Sequence, residues 1–459
     1  MARNPPLPRP LVTVPRSLST ERLELWASPE PTVARIDIDT VRDQIAETGL
    51  DVRTGDAERI AALGVSASRV PVLWERVAPI DPHEHDFSEP ARRLNALRVA
   101  GVEPIVTLLH HGSGPQYTDL LDPAFPLWFA EYAEATARMF PWIRRWTPIN
   151  EPLTTARFAT LYGVWYPNVR DDRAFGRAMV NQTLAQQAAM RRIHRVIPDA
   201  EFVLTEDLQR YAAGDAGAAE YVEFLRERVY LSVELVAGRV GDDHPLTAFL
   251  TERCGVNALE LAMMQRDACV PDLVAFNHYP HSERYLFTHG DEAADVPAVY
   301  VAGEPSPAAG PLLRAAGERL QLPLALGEVH VHAPAAERVR WLAQHVADAQ
   351  ALRAGGMDVR ALGAWAAFGM VDWHSLLLQR AAVAEDGIYT FAGPNEVPQP
   401  TAVADALREL VATGSIDDRG VRGWWERADR ALPLEALIAM RDAGLPEGDH
   451  LRTTDEALA

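Results

Sequence analysis

Eight short apolar or β-branched runs alternate with amphipathic stretches along this chain, and the alternation predicts an α/β fold: a (β/α)8 TIM barrel, a single domain with a helical C-terminal extension. Two further observations favour the barrel over a doubly wound open sheet. No G-x-G-x-x-G follows any of the runs. Barrels of this kind can also hold more than 400 residues as one domain, which accommodates the 459 present here. The expected boundaries are an N-terminal extension over 1–19, the barrel over 20–412 and a helical tail over 413–459.

The eight expected strands are "LELWAS" (23–28), "SASRVPVLW" (66–74), "EPIVTLLHH" (103–111), "RRWTPIN" (144–150), "EFVLTED" (201–207), "LVAFNHYP" (273–280), "LALGEVH" (324–330) and "ALGAWAAF" (361–368). Between them, "GDAERIAALG" (55–64), "PLWFAEYAEATARMF" (126–140) and "AERVRWLAQHVADAQALRAGG" (336–356) repeat apolar residues at three- and four-residue spacing, as helices do. Residues 208–270 read as a long, mostly helical insertion between strands five and six. "TAVADALREL" (401–410) reads as the eighth helix, and the tail holds one more amphipathic helix around 434–444.

A formal net charge of −20 argues against nucleic acid or an anionic membrane as partner, since both need a basic surface. The two cysteines, Cys254 and Cys269, fit neither a zinc pattern nor a disulfide framework, which favours a reducing compartment. The N-terminal "MARNPPLPRPLVTVPRS" lacks the apolar run of a signal peptide, and the longest uncharged apolar stretch (361–371) is too short to cross a bilayer. A cytoplasmic location is the expectation. The sequence contains no lysine, which excludes Schiff-base aldolase chemistry, pyridoxal phosphate chemistry and the P-loop. No cofactor is expected.

Polar and aromatic residues gather where the expected strands end, the face on which such barrels carry their chemistry. They are Glu30, Arg69, Trp74, His110, His111, Asn150, Glu151, Glu206, Asp207, Asn277, Tyr279, Glu328, His330, Trp365 and Asp372. Glu151 and Glu328, ending strands four and seven, would face each other across the mouth. Glycoside hydrolysis needs such a pair, one carboxyl as acid and one as ionised nucleophile. A separation of about 5–5.5 Å implies retention, and about 6.5–9.5 Å inversion. "HEH" (83–85) and "HVH" (330–332) have metal-ligand spacing, but metal-dependent barrel hydrolases usually carry His-x-His on the first strand, which here reads "LELWAS". No metal is expected.

At this point the residues match a family. "TPINEP" (147–152), "GVSASRVPVLWERVAP" (64–79), "GVEPIVTLLHH" (101–111), "FAEYAEATARMF" (129–140), "AFNHYP" (275–280) and "AWAAFGMVDWHSLL" (364–377) resemble, in order, segments of glycoside hydrolase family 1, the β-glucosidase-like enzymes. The resemblance spans roughly residues 20–412. It implies Glu151 as acid/base and Glu328 as nucleophile, with Arg69 and Tyr279 keeping Glu328 ionised and oriented. It implies sugar contacts from Glu30, His110, His111, Asn150, Asn277, Trp365, Asp372 and Trp373, and a small carbohydrate or glycoside as substrate.

The departures bear on specificity. Glu328 lies in "ALGEVHVHA" where the family has threonine-glutamate-asparagine-glycine. The family's third-strand tryptophan is His111, its eighth-strand glutamate is Asp372, and its first-strand glutamine is Glu30. "LELWASPEPTVARI", "GEVHVHA" and "FGMVDWHSLL" look most like a divergent branch often fused to a deoxysugar-nucleotide (dTDP-4-dehydrorhamnose) reductase. A modified or deoxy sugar and a separate sugar-nucleotide enzyme as partner are the corresponding expectations. Two readings stay open: a retaining glycosidase or transglycosidase, and a non-catalytic carbohydrate-binding barrel.

Overall fold

A computed structural model of the chain describes residues 22–213, 216–287, 298–300, 306, 308–418 and 420–426. The extension over 1–19 and the tail helix expected around 434–444 lie outside these residues. Eight parallel strands close into a barrel. They are β1 (Glu24–Ala27), β2 (Ala67–Pro71), β3 (Glu103–His110), β4 (Arg145–Asn150), β5 (Glu201–Asp207), β6 (Leu273–His278), β7 (Leu324–Val329) and β8 (Val359–Ala364). Closure comes from β1, which pairs with β8 through Glu24↔Ala361 to Ala27↔Ala364 and with β2 at Trp26↔Ala67.

Each run expected as a strand is one of the eight. The strands are nearly all buried because helices cover the barrel outside while side chains fill it inside. One interior cluster is Trp26 surrounded by Ala67, Ile105, Val203, Leu273, Ala275, Ala325 and Ala361. One large ring among small residues fills the taper. At the strand N-termini, Arg145 donates to Glu24 and Glu103, each at 2.8 Å, and its guanidinium lies 5.7 Å from the Trp26 ring centre. Charge pairing thus seals the face opposite the polar strand ends.

The insertion at 208–270 is not helical throughout. After helices Ala219–Arg228, Leu231–Val236 and Ala258–Arg266 are accounted for, Arg210–Ala213 remains as a strand, parallel to Glu283–Phe287, which pairs antiparallel with Ala298–Tyr300. The first two strands of this sheet continue the chain just past β5 and β6, so their pairing extends the contact those neighbours already make. A four-residue strand carries too little alternation to be read from sequence.

Strand β7 carries a bulge. Leu326 is opposite Phe276 and Glu328 is opposite Asn277, leaving Gly327 as the extra residue. A Cβ on Gly327 would stand 2.7 Å from Asn277 Oδ1, and one on Gly363 would stand 2.3 Å from the Gly327 carbonyl oxygen. Only glycine permits both approaches. The bulge sets which way Glu328 points.

Residues 414–426, as far as they are described, pack on helix Ala335–Ala354. Trp425 is fully buried, stands edge-on to Trp341 with ring centres 4.9 Å apart, and donates Nε1 to Gln344 Oε1 at 3.0 Å. Arg340 ties the same segment down through Asp418 and through Glu426 at 2.7 Å. Among the described residues, no helix is long and apolar enough to cross a membrane. Trp425→Ala leaves a cavity the size of an indole, with an expected cost of roughly 3–5 kcal/mol. Denaturant unfolding is the measurement, and a loss below about 1 kcal/mol would mean that the segment is dispensable packing.

Candidate active site

The site is built around Arg69, whose backbone β2 holds in register with Ile105 of β3. Its guanidinium is buried and forked. Nη1 donates to Asn150 Oδ1 at 2.6 Å, Nη2 donates to Glu328, and the group also lies 4.9 Å from the Trp365 ring centre. Tyr279, just past β6, donates its hydroxyl to the other oxygen of Glu328. The Glu328 carboxylate is therefore fixed by a cation on one side and a phenol on the other. Burial pulls Arg69 down to about 10 and pushes the Tyr279 phenol well above its ordinary range, so both remain proton donors at neutral pH.

Glu151 follows β4 directly, with φ of 46° in the left-handed region. That conformation, rare outside glycine, ends the strand and starts helix Pro152–Ala156. Its Oε1 accepts from Asn277 Nδ2 at 2.5 Å, and its Oε2 is 3.8 Å from His111 Nε2. Asn277 is also the residue opposite Glu328 in the β6–β7 register, so the amide that binds Glu151 comes from the strand position paired with Glu328. Burial, reinforced by the neighbouring charges of Asp207 and Glu206, pushes the Glu151 carboxyl well above its ordinary value; Asn277 and Arg69 oppose this only in part. The two carboxyls occupy opposite environments: one held by a guanidinium, the other buried beside two more carboxyls.

Asn150 completes the wall. Its Oδ1 also accepts from Thr205 Oγ1 at 2.8 Å, while its Nδ2 faces His110 Nε2 at 3.3 Å and His111 Nε2 at 3.5 Å. Burial holds both imidazoles neutral: His111 is lowered to about 3, with Arg69 adding to the effect, and His110 well below its usual value, with His111 and Arg69 both adding. A neutral ring accepting at Nε2 carries its proton on Nδ1. In His111 that atom is 3.2 Å from Thr155 Oγ1; in His110 it is buried with no partner among the described residues. His110 also stacks on Trp365, with ring centres 5.9 Å apart.

The other expected contacts divide. Glu30 takes Thr32 N at 2.9 Å and Trp365 Nε1 at 3.1 Å, one on each oxygen. Trp373 meets His111 and Trp165 edge-on, at 5.7 and 6.3 Å. Asp372 is buried with Oδ2 accepting from Arg42 at 3.0 Å and Oδ1 from Val383 N at 2.8 Å, which ties its carboxylate to the segments that follow β1 and β8. Trp74 is packed against Phe125, Phe129 and Tyr132. His330 and His332 converge on Glu385, at 3.3 and 3.1 Å, while exposed His83 meets Trp128. Among the described residues, no group of three or more His, Cys, Asp or Glu is arranged to hold a metal ion.

Two side chains without an expected role act on Glu151. Glu206 accepts from Leu153 N and Ser232 Oγ, and burial pushes it up to about 7; Asp207 is opposite Asn277 in the β5–β6 register. Both were visible as strand-ending carboxylates, but nothing in the sequence said which neighbour they face.

The fold and the site define a (β/α)8 barrel with a carboxyl pair at the ends of its fourth and seventh strands, one member bound by arginine and tyrosine. The chain belongs to glycosyl hydrolase family 1, whose profile matches residues 34–284, more than half of the sequence. It is 29% identical over 158 residues to beta-glucosidase A of Thermotoga maritima, covering 31% of this chain and 34% of that one. It is 28% identical over 162 residues to a 6-phospho-beta-glucosidase of Dickeya chrysanthemi, covering 32% and 33%. A probable inactive beta-glucosidase 14 of Oryza sativa subsp. japonica is 25% identical over 194 residues, covering 40% and 37%. The aligned part thus spans about a third of the length of these curated relatives. Among solved structures, the Thermotoga maritima beta-glucosidase in complex with azafagomine superposes with a TM-score of 0.69 at 18% identity, covering 87% of this chain and 99% of that one.

The raised carboxyl has a measurable consequence for stability. A carboxyl whose folded pKa exceeds its unfolded one contributes in full below the unfolded value, here about 4.5, and its contribution is lost as the pH rises through the folded value. Glu151→Gln keeps the neutral form at every pH. The variant is therefore expected to gain stability relative to wild type as the pH rises above 4.5, and denaturant titrations from acid through neutral pH measure it. A constant difference would mean that Glu151 ionises in the fold as it does in the open chain.

Proposed function

We propose that the protein is a retaining β-glycoside hydrolase or transglycosidase acting on a small glycoside. The observation that carries this reading is the unlike setting of the two carboxyls: Glu328 between Arg69 and Tyr279, and Glu151 pushed upward by burial, Asp207 and Glu206. Glu328 attacks the anomeric carbon while Glu151 gives its proton to the leaving oxygen. Glu151, now ionised, then activates water or another acceptor, and the glycosyl–Glu328 ester is released. The unpartnered Nδ1 of His110 is the donor left for a sugar hydroxyl, with Trp365 beside it, and Asn150 Nδ2 reaches one by giving up an imidazole.

The sugar in this reading is a modified or deoxy sugar rather than plain glucose, in keeping with the divergent reductase-associated branch. Support comes from Glu30 and Asp372, each of which already accepts one hydrogen bond from a protein group on each oxygen, so that about half of its acceptor capacity is taken. A cytoplasmic location and a separate sugar-nucleotide enzyme as partner belong to the same proposal. A second reading, a barrel that binds sugar without turnover, is favoured by the altered "ALGEVHVHA" around Glu328 and by a relative named as a probable inactive beta-glucosidase.

Kinetics on a panel of aryl glycosides separates the two. The pH–rate profile is expected to be bell-shaped, and Glu328→Gln is expected to abolish turnover. Glu151→Gln is expected to slow unactivated leaving groups by roughly 10²–10⁴-fold and activated ones far less, because a good leaving group needs little protonation. If the protein binds sugars but neither substitution changes hydrolysis or transfer, the binding reading holds. Efficient hydrolysis of simple aryl glucosides would remove the case for an unusual sugar.

A further inference from the structure

Six residues past Glu151, the helix begun at Pro152 passes into a π-turn over Arg157–Leu161. Arg157 is fully buried there. Its Nη1 donates to the Tyr211 hydroxyl at 3.3 Å, but Nε and Nη2 have no hydrogen-bond partner among the described residues. A buried guanidinium left in that state is costly unless something completes it. Two more buried guanidinium groups act on the same place, Arg228 at the end of helix Ala219–Arg228 and Arg284 on strand Glu283–Phe287. All three act on the half-buried Tyr162, and Arg284 is opposite Tyr211, the residue whose hydroxyl Arg157 reaches. Arg157 lies 5.8 Å from the Tyr162 ring centre, and Arg228 is hydrogen-bonded to the Tyr162 hydroxyl.

The charges here do not balance. Asp207 and Glu206 are the carboxyls acting on Arg157. Glu206 is pushed up to about 7 by burial and is largely neutral below that pH, while Asp207 accepts from Gln209 at 2.9 Å and from Ser282. Among the described residues, three cations thus face two carboxyls, one of them largely neutral below pH 7. Tyr162 reports the excess: burial would raise its phenol, yet Arg157, Arg228 and Arg284 draw it down to about 8. A place that favours phenolate favours other negative oxygens.

We propose that Arg157, Arg228 and Arg284 form a subsite for an anionic oxygen group, a phosphate or a carboxylate, carried on the leaving-group side of the substrate. The side follows from Glu151, because it caps the helix that runs into the turn carrying Arg157, and Glu206, which accepts from Leu153 N in that helix, acts on both. The leaving oxygen is the atom Glu151 protonates in the glycosidase reading, on which this inference rests. Guanidinium forks match the paired oxygens of either anion. In the free protein the Tyr162 hydroxyl stands where an anion's oxygen would be, and the ligand displaces it.

Calorimetric titration with phenyl phosphate, benzoate and phenol tests binding apart from turnover. Saturable binding of phenyl phosphate or benzoate is expected, at least about tenfold tighter than phenol, and the tighter of the two identifies the anion. Arg157→Met and Arg284→Met are expected to weaken it about tenfold or more. Tyr162→Phe removes the competing hydroxyl and is expected to tighten binding several-fold, an outcome that misfolding cannot produce. No saturable binding to the wild-type protein, or binding that none of the three substitutions alters, overturns the subsite. If the probes bind as expected while aryl glycosides go unhydrolysed, the catalytic reading falls and the subsite stands. Hydrolysis with equal kcat/KM for neutral and carboxylate-bearing leaving groups does the reverse.

Discussion

A single buried cation organises the barrel mouth. Arg69 sits in a low-dielectric wall where an isolated charge would be prohibitive, so the fold must bring it partners. The planar fork reaches two at once, Asn150 from β4 and Glu328 from β7, and it lies against the Trp365 ring. A lysine, with one compact charge, could not span them in fixed geometry. The same electrostatic demand that makes the arginine tolerable also orients the carboxylate and the amide. Their placement is one constraint met three ways, and Tyr279 and Thr205 then fill the remaining acceptor positions.

Around that centre the protein separates two glutamates by environment alone. Glu328 has a cation and a phenol; Glu151 has burial, an amide donor, two carboxyl neighbours and an imidazole kept neutral. The histidines matter here because they add no charge. Were His111 protonated, 3.8 Å from Glu151, it would pull that carboxyl toward ionisation and erase the difference between the pair. Arg69 therefore acts on both sides, holding Glu328 directly and suppressing imidazolium formation nearby.

Much of this could be read from sequence because it depends on strand ends. Eight apolar runs located the barrel, and the residues at their termini included Arg69, Asn150, Glu151, Tyr279 and Glu328, which the structure brings together. The small sheet beyond β5 and β6 was hidden because Arg210–Ala213 is too short to show a period. Trp74 lay in an expected strand but begins a short helix, and packs among Phe125, Phe129 and Tyr132. Asp372 shows a different limit. Which way its carboxylate turns depends on Arg42, 330 residues away in the chain. Glu206, Asp207 and Arg157 were equally opaque, since their importance lies in neighbours contributed by other strands and helices.

The contact between Gly363 and the Gly327 carbonyl links two distant stretches of sequence in a way that bears on how this barrel can diversify. A side chain at 363 would press on the bulge that aims Glu328, so β8 cannot be varied there without disturbing the carboxylate that β7 presents. Lineages or libraries starting from this scaffold are thereby channelled toward the loops after the strands, where a substitution leaves the aim of Glu328 untouched.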